Sequence, residues 1–379
     1  MTTDRHSSYK GRSSVLLIRS NPSFSDPRVQ KEAKAISTVA NVTILGWERK
    51  KSNDNHVGLD YAKVILLHFS APYGSKLLAF YLPIWWIYVF GYVLFSRYDI
   101  IHACDFDTCF PAEIAAKISR KKIVYDIFDY YADMISAPNF IKYVITRIDR
   151  WLINNADLLI LVSPYQRKQI APANNSSTII IYNAPEISAM TVDKLKTISS
   201  INNYYFYGGL LSEDRLIREI ISFFISNKEL FLEIAGRGPL ENFVAQMADT
   251  YANISFIGFV DNETVIKKSA SSNAIFAFYD TSITNNVYAC PNKLFEAMIL
   301  GKPLITNKGT ALAKFVKEKH IGYIIDPSPD KIGEILKILA RDNVAIENIK
   351  LIDSELSAKY SWQTMEKIMV NSYLKLLSD

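Results

Sequence analysis

The sequence predicts an α/β protein built from two parallel sheets with crossover helices. Short apolar runs alternate along the chain with longer helical stretches, which is the pattern of repeated β–α–β units. The length of 379 residues exceeds the size at which one hydrophobic core keeps growing. A polar, irregular stretch over residues 184–203 separates two such series, so we expect one sheet on each side of it.

The first series of predicted strands occupies the N-terminal half. These strands cover residues 15–19, 42–47, 64–69, 100–103, 123–126, 158–162 and 178–182. Asp26 and Pro27 predict the start of a helix after the first strand, because Asp accepts first-turn N–H groups and Pro suits the first helical position. A second helix is predicted over residues 139–154.

Residues 77–95 form an uncharged run of 19 residues, LLAFYLPIWWIYVFGYVLF. Its length approaches that of a membrane span. Pro83 inside the run, and Trp and Tyr in its middle rather than at its ends, argue against a span. Two other interpretations stay open: a buried crossover helix, and shallow insertion into a membrane interface with Trp85 and Trp86 in contact with lipid.

The second series of predicted strands covers residues 204–207, 231–235, 255–257, 274–278, 304–306 and 323–326, and a last helix covers 361–377. Within it, Pro291 and Gly301 are the expected limits of a short apolar helix. A helix N-terminus binds anions through its backbone N–H groups and dipole. The positive charge of Lys293 is unfavourable near the positive end of that dipole unless an anion is bound nearby. Glu296 lies one turn further, within reach of a sugar hydroxyl.

The segment Pro-Asn-Lys-Leu-Phe-Glu at 291–296, with Gly-Lys-Pro at 301–303, resembles a motif of the retaining nucleotide-sugar glycosyltransferases of family 4. The resemblance implies the GT-B fold, in which two Rossmann-like domains face a central cleft. It also implies that Glu296 holds the donor ribose. Tyr288 stands where the family usually has a glutamate that contacts the donor sugar, although one subgroup also lacks that glutamate.

The same resemblance assigns three strand-to-helix turns to the donor nucleotide. Glycines let the backbone approach a ligand closely, Arg215 stands in the place of a family lysine that neutralises the diphosphate, and the turn at Phe259 reads the base. Gly209 stands where the family commonly has an arginine, and Lys293 or Arg237 would compensate for that lost charge. The implied donor residues are Gly208, Gly209, Arg215, Gly236, Arg237, Phe259, Lys293, Leu294 and Glu296.

In the first domain, the resemblance places acceptor or proton-transfer groups at strand ends. His102 and Asp105 end one strand, and Asp126 and Asp129 end the next, with Phe128 in a position where the family often has histidine. The expected catalytic residues are Asp126, Asp129, Arg215 and Lys293. Clustered carboxylates can bind a divalent cation, but GT-B enzymes as a class need none, so no metal site and no required cofactor are expected.

Other features exclude several protein classes. The sequence has no Gly-x-Ser-x-Gly elbow, P-loop or dinucleotide fingerprint, so hydrolase, kinase and dehydrogenase functions have no support. Its three cysteines lack metal-binding spacing and suggest a reducing compartment, and the polar first twelve residues do not resemble a signal peptide. A cytoplasmic location is expected.

The net charge of +5 is concentrated in the N-terminal half, where residues 1–190 carry 22 Lys and Arg against 16 Asp and Glu. The chain has no basic stripe with interleaved aromatics, so an anionic membrane is a better partner than nucleic acid. We therefore expect peripheral attachment to the inner face of the cell membrane.

The predicted domains are residues 1–190 for the acceptor, 191–360 for the nucleotide sugar, and a helix at 361–379 that crosses back to the first domain. The expected function is a retaining glycosyltransferase of hexosyltransferase type. It uses a UDP-sugar or GDP-sugar and a membrane-associated acceptor, either a lipid-linked glycan or a cell-surface polysaccharide. The alternative is a non-catalytic, nucleotide-sugar-binding subunit of a glycosyltransferase complex.

Overall fold

The computed structural model describes residues 12–21, 26–50, 59–72, 77–135, 137–186, 195, 198–326, 328–341 and 358–378. The chain divides into two compact units: Met1–Tyr182 together with Gln363–Asp379, and Asn183–Trp362. The polar stretch that the sequence predicted as a linker begins just after this division, and part of it lies outside the described residues.

The first unit contains a parallel sheet of seven strands among its described residues, in the order β3-β2-β1-β4-β5-β6-β7. Each strand predicted here from the sequence is present. The prediction was possible because buried parallel strands appear in the sequence as short apolar runs. The strands are β1 (Ser14–Arg19), β2 (Asn41–Glu48), β3 (Ala62–His68), β4 (Ile100–Cys104), β5 (Lys122–Ile127), β6 (Leu158–Leu161) and β7 (Thr178–Ile180).

Helices connect these strands. They are α1 (Pro27–Ser37), α2 (Leu78–Phe95), α3 (Phe106–Ile118), α4 (Tyr131–Met134), α5 (Asn139–Asn155) and α6 (Gln166–Ile170), and the C-terminal helix (Trp362–Ser378) follows the second unit. The predicted start of α1 is confirmed, since the Asp26 carboxylate accepts the N–H groups of Arg28 and Val29 at 3.0 and 3.5 Å. From Gln363 onward the C-terminal helix belongs to the first unit, and Met365 accepts the N–H of Tyr182 at 3.3 Å.

Helix α2 is the uncharged run, and it connects the parallel strands β3 and β4 of one sheet, so it is a crossover helix rather than a membrane span. Among the described residues it is the one helix long and apolar enough to cross a membrane, judged by length and composition alone. It buries a single stripe, Leu82, Trp85, Val89 and Val93, at helical spacing. Other apolar side chains of the helix are partly buried against the core, and four large ones are exposed: Phe80, Ile84, Ile87 and Phe95.

The two tryptophans of α2 differ in how far they are available for the predicted membrane contact. Trp85 is 0% exposed, and its ring stacks on Trp47 with centroids 5.5 Å apart. Trp86 is half-buried, and its indole N–H donates to the carbonyl oxygen of Asp107 at 3.0 Å. The sequence could not show which face of an all-apolar helix packs inward, because such a helix has no polar face to mark the outside.

The second unit contains a parallel sheet of six strands among its described residues, in the order β10-β9-β8-β11-β12-β13. The strands are β8 (Tyr204–Leu210), β9 (Phe231–Arg237), β10 (Ile254–Phe256), β11 (Ile275–Ala277), β12 (Leu304–Asn307) and β13 (Gly322–Ile325). The helices are α7 (Ile217–Ser226), α8 (Glu241–Thr250), α9 (Asn262–Ser271), α10 (Thr284–Val287), α11 (Asn292–Leu300), α12 (Ala311–Lys319) and α13 (Pro329–Arg341). Strand order therefore reverses between β8 and β11 here, as it does between β1 and β4 in the first unit. Ligands of open α/β sheets bind outside the strand ends at such points.

Candidate active site

The candidate donor site lies at the carboxyl edge of the second sheet, where β8 and β11 end. Helix α11 begins there with Pro291 as its N-cap, and no side chain among the described residues caps it. Its first-turn N–H groups are therefore not satisfied by a cap, which makes them suitable for an anion. At its other end the helix is closed by Gly301 in the left-handed conformation, with φ 61°.

Lys293 in the first turn of α11 points back to the end of β8. Its ammonium group donates to the carbonyl oxygen of Gly208 and lies 4.6 Å from the centroid of the Tyr207 ring. Burial lowers the pKa of Lys293, and the nearby Glu296 acts against that change. A bound diphosphate would favour the charged ammonium group by the same electrostatic effect.

Glu296 lies one turn further along α11 and is 6% exposed. Burial raises the pKa of its carboxyl group, while the charge of Lys293 opposes the rise. Among the residues that the structure describes, Oε2 of Glu296 is buried and has no hydrogen-bond partner. Buried polar atoms are nearly always paired, so an unpaired carboxylate oxygen indicates a ligand donor such as a sugar hydroxyl.

Arg215 ends a short 3₁₀ turn, Glu213–Arg215, that follows β8. Its guanidinium pairs with the carboxylate of Asp214, donates to Oδ1 of Asn286 at 3.2 Å, and lies 4.6 Å from the centroid of the Tyr279 ring. Arg215 is thus held in place, but Asp214 offsets part of the positive charge with which Arg215 was predicted to neutralise the diphosphate.

The glycine-rich turn after β9 needs its glycine for a steric reason. A Cβ on Gly236 would lie 1.9 Å from the carbonyl oxygen of Gly209. The N–H of Gly236 donates to the carbonyl oxygen of Gly258 at 2.9 Å, so the turns after β8, β9 and β10 are neighbours. Arg237 is exposed and lies 4.2 Å from the centroid of the Phe259 ring, which is 62% exposed. This exposed stack is a suitable surface for a nucleobase.

One of the residues predicted to bind the donor nucleotide does not expose its side chain to a ligand. Leu294 is 1% exposed and packs in the core, so it can contribute backbone at most. Conversely, sequence reasoning missed Asp214 and Asn286, which orient Arg215, and Tyr279, which stacks on it. A signal was available for Tyr279, because it follows the apolar strand β11 at the edge where ligands bind.

In the first unit, a buried polar network links α1, β4, β5 and the C-terminal helix. Arg28 donates to both carboxylate oxygens of Asp126 at 3.0 and 3.2 Å, and His102 Nδ1 is 2.6 Å from the hydroxyl of Tyr373. Asp126 and His102 are both 0% exposed. They are therefore not placed to contact an acceptor or exchange protons with it, contrary to the expectation from sequence.

The same network resembles a metal site in composition. Glu32, His102, Cys104 and Asp126 present ligand atoms within 4.8 Å of one another. Burial raises the pKa of both Glu32 and Cys104 well above their ordinary values, which disfavours the deprotonated forms that a metal requires. The Arg28 guanidinium also lies 2.9 Å from Glu32, so a side-chain cation already occupies this cluster.

Asp105 and Asp129 lie nearer the surface at the switch point of the first sheet. Asp105 is 5% exposed, pairs with Arg19, and accepts the N–H groups of Phe128 and Asp129 at 2.8 and 3.3 Å. Burial raises the pKa of Asp105 to about 6, although Arg19 acts against the rise. Its backbone φ of 63° is rare for a residue with a side chain, and such strain concentrates at functional sites.

Asp129 is exposed, unlike the other aspartates of this group. The loop that carries it is held by Asp105, and the neighbouring Phe128 ring lies 4.3 Å from the guanidinium of Arg19 and 4.5 Å from that of Arg28. Of the predicted catalytic aspartates, Asp129 is thus the one that a substrate can reach.

Part of the second unit matches a known protein family. Residues 207–342 match the family model "Glycosyl transferases group 1", and this segment includes every donor residue discussed above. No curated protein sequence matches the chain.

Solved structures match both units at low sequence identity. Sucrose-phosphate synthase from Thermosynechococcus elongatus has 15% identity and a TM-score of 0.75 over 97% of this chain and 100% of its own. HepE from Anabaena, solved with UDP-glucose, has 16% identity and a TM-score of 0.63 over 96% and 99%. The lipopolysaccharide outer core galactosyltransferase WaaB has 14% identity and a TM-score of 0.66 over 96% and 99%. The chain is therefore a glycosyltransferase with the GT-B fold, and its second unit carries the domain of the group 1 glycosyl transferases.

Proposed function

We propose that this glycosyltransferase transfers a sugar from a UDP-sugar, with retention of anomeric configuration, to a glycan acceptor held at a membrane surface. The observation that carries the donor assignment is the buried Oε2 of Glu296, which has no partner among the described residues and lies beside Lys293 and the start of α11. A ribose hydroxyl supplies the missing donor, and the diphosphate supplies an anion for the helix N-terminus. The choice of UDP rests on HepE, which was solved with UDP and with UDP-glucose.

In this proposal the acceptor hydroxyl attacks the anomeric carbon while the bond from that carbon to the diphosphate oxygen breaks. Negative charge grows on the departing diphosphate. Lys293 and the N–H groups of α11 stabilise that charge because they are fixed in place before the reaction. The proton of the acceptor passes to a phosphate oxygen of the leaving group, and Asp129 orients the acceptor hydroxyl.

Support for the membrane part comes from two exposed apolar surfaces of the first unit. On α2, Phe80 and Ile87 are 78% and 74% exposed, and on α5, Phe140 and Tyr143 are 69% and 63% exposed. Arg147, also on α5, is exposed and contributes positive charge. Exposed aromatic and aliphatic side chains combined with basic residues are typical of proteins that bind anionic interfaces.

The donor assignment is tested by titrating UDP into the Glu296→Ala variant in a calorimeter. Loss of hydrogen bonds to a charged group should weaken binding by about 1.5–3 kcal/mol. Glu229→Ala is the matched control, because Glu229 is exposed in the loop before β9, at the opposite edge of the same sheet. Equal UDP affinity in wild type and both variants would contradict the assignment.

Turnover separates an enzyme from the alternative of a non-catalytic subunit. A UDP-sugar that stabilises the native protein in a thermal-shift panel should also be hydrolysed slowly or transferred by the purified chain. Binding without any turnover, with acceptor present, would favour the subunit.

A further inference from the structure

An open concavity lies at the carboxyl edge of the first sheet, past the ends of β2 and β3. It is lined by Arg49, Lys50, Ser70, Ala71, Pro72 and Tyr81. The N–H of Ala71 donates to the carbonyl oxygen of Arg49 at 3.2 Å, so the segments that leave the two strands stay side by side. The walls of the concavity therefore have a fixed spacing.

Arg49 is held in one orientation. Its Nη2 donates to the carbonyl oxygen of Ser20 at 2.6 Å, and its guanidinium lies 4.5 Å from the centroid of the Trp47 ring. Trp47 is itself packed against Trp85 in the core. A guanidinium fixed in this way loses little side-chain entropy when it binds an anion.

Two of the residues that line the concavity, Arg49 and Lys50, are cations. Lys50 is exposed and lines the concavity together with Arg49, and the carboxylate of Glu48 pairs with His68. Asp107 is the carboxylate that interacts with Arg49 at longer range; burial raises its pKa, and Arg49 acts against that rise. Two cations thus line the concavity, and Asp107 offsets part of the charge of Arg49.

An apolar surface begins next to these cations. Tyr81 lines the concavity from the first turn of α2, and Phe80 and Ile84 on the same helix are 78% and 45% exposed. An arginine fork and a lysine point charge are the groups that proteins use to bind phosphate. Their position beside exposed apolar side chains fits a phosphate that is joined to a hydrocarbon chain.

We propose that this concavity binds the phosphate or diphosphate group of the acceptor, with Arg49 and Lys50 in contact with the anion and a lipid chain on the exposed face of α2. This inference rests on the proposed function, because it identifies the chemical class of the membrane-held acceptor. The shared chemistry is the phosphate anion, and the experiment distinguishes a lipid phosphate from a free one.

The test is calorimetric titration of the intact protein with farnesyl diphosphate, inorganic pyrophosphate and farnesol. Saturating UDP is present in one series, so that the donor site is filled. Lys50→Gln should weaken farnesyl diphosphate binding about tenfold, the effect of losing one charged hydrogen bond. Lys63→Gln is the matched control, because Lys63 is exposed near the start of β3, at the opposite edge of the sheet. Arg49→Lys keeps the charge and removes the fork, and it should also weaken binding.

Each outcome decides a part of the proposal. The site would be refuted if UDP abolishes the binding of farnesyl diphosphate. It would also be refuted if Lys50→Gln leaves that binding unchanged. If pyrophosphate and farnesyl diphosphate bind equally well and both depend on Lys50, the anion site is supported and the lipid contact is refuted. UDP affinity is measured on the same proteins and should not change in Lys50→Gln. A wild type that binds farnesyl diphosphate but not UDP would refute the donor function and leave this site intact.

Discussion

Two aspartates at the end of β5 look alike in sequence and differ in their environment. Asp126 is completely buried and receives two hydrogen bonds from Arg28, whereas Asp129 is exposed on a loop that Asp105 holds in place. Removing one partner of a buried ion pair leaves an uncompensated charge. Substitution of Asp126 should therefore affect mainly stability, whereas substitution of Asp129 should affect mainly the transfer rate.

We predict that Asp126→Asn lowers the free energy of unfolding by about 3 kcal/mol, because Arg28 loses its buried counter-charge. Asp129→Asn should leave stability within about 0.5 kcal/mol of wild type, the usual range for an exposed site, and lower the transfer rate without changing UDP affinity. Urea unfolding and a transfer assay measure the two effects. Full activity of Asp129→Asn would move the acceptor-orienting role to another residue of the first unit.

At the scale of elements, helix α5 packs on the sheet through a buried acid. Asp149 on α5 is 0% exposed and accepts a hydrogen bond from the hydroxyl of Tyr125 on β5 at 2.7 Å. Burial raises the pKa of Asp149 to about 7, far above its ordinary value. Burial also raises the pKa of Glu113 on α3 to about 7.

These raised pKa values predict a pH dependence of stability. Between pH of about 4 and 7 these two carboxyl groups keep protons in the folded chain that they release in the unfolded chain, so their contribution to stability falls as pH rises through this window and levels off above it. Asp149→Asn, which still accepts the Tyr125 hydroxyl, should reduce that slope and be more stable than wild type at pH 8 by about 1–4 kcal/mol. Urea unfolding midpoints of wild type and variant at pH 5 and pH 8 measure this change in the pH dependence of stability. A slope identical to that of wild type would show that Asp149 is ionised in the folded protein.

At the scale of the whole molecule, the first unit exposes apolar side chains on α2 and α5 and carries the basic excess of the chain. Trp85 cannot be used to test membrane attachment, because its replacement would open the core around Trp47. Ile87 is a better site, since it is 74% exposed on the outward face of α2.

We predict that the protein sediments with anionic liposomes at low salt, and that Ile87→Ser weakens this binding about tenfold, as expected for losing the burial of one large aliphatic side chain. Ile201→Ser is the matched control, an isoleucine 55% exposed in the second unit. Raising the salt concentration should weaken binding further, because each basic residue near an anionic surface contributes about 1 kcal/mol. If the wild type stays in the supernatant, a soluble acceptor replaces the membrane-held one.

The amino-acid sequence by itself determined the strands, the cap of α1, the limits of α11 and the candidacy of Glu296 and Lys293. Each of these depends on local signals: the length of apolar runs, a capping Asp before Pro27, a helix that begins after Pro291 and ends at Gly301. Such signals are read within a few residues along the chain, and the fold brings no distant group that would reverse them.

Only the tertiary structure decided which side chains are reachable. Asp126 and His102 became core residues because Arg28 and Tyr373, distant in sequence, pair with them. Trp85 turned inward because a helix with apolar residues on all sides packs whichever face meets the sheet, and Leu294 is likewise buried by the packing of its helix. The unpaired oxygen of Glu296 and the cations beside α2 likewise depend on neighbours that are far away along the chain, and so no local pattern revealed them.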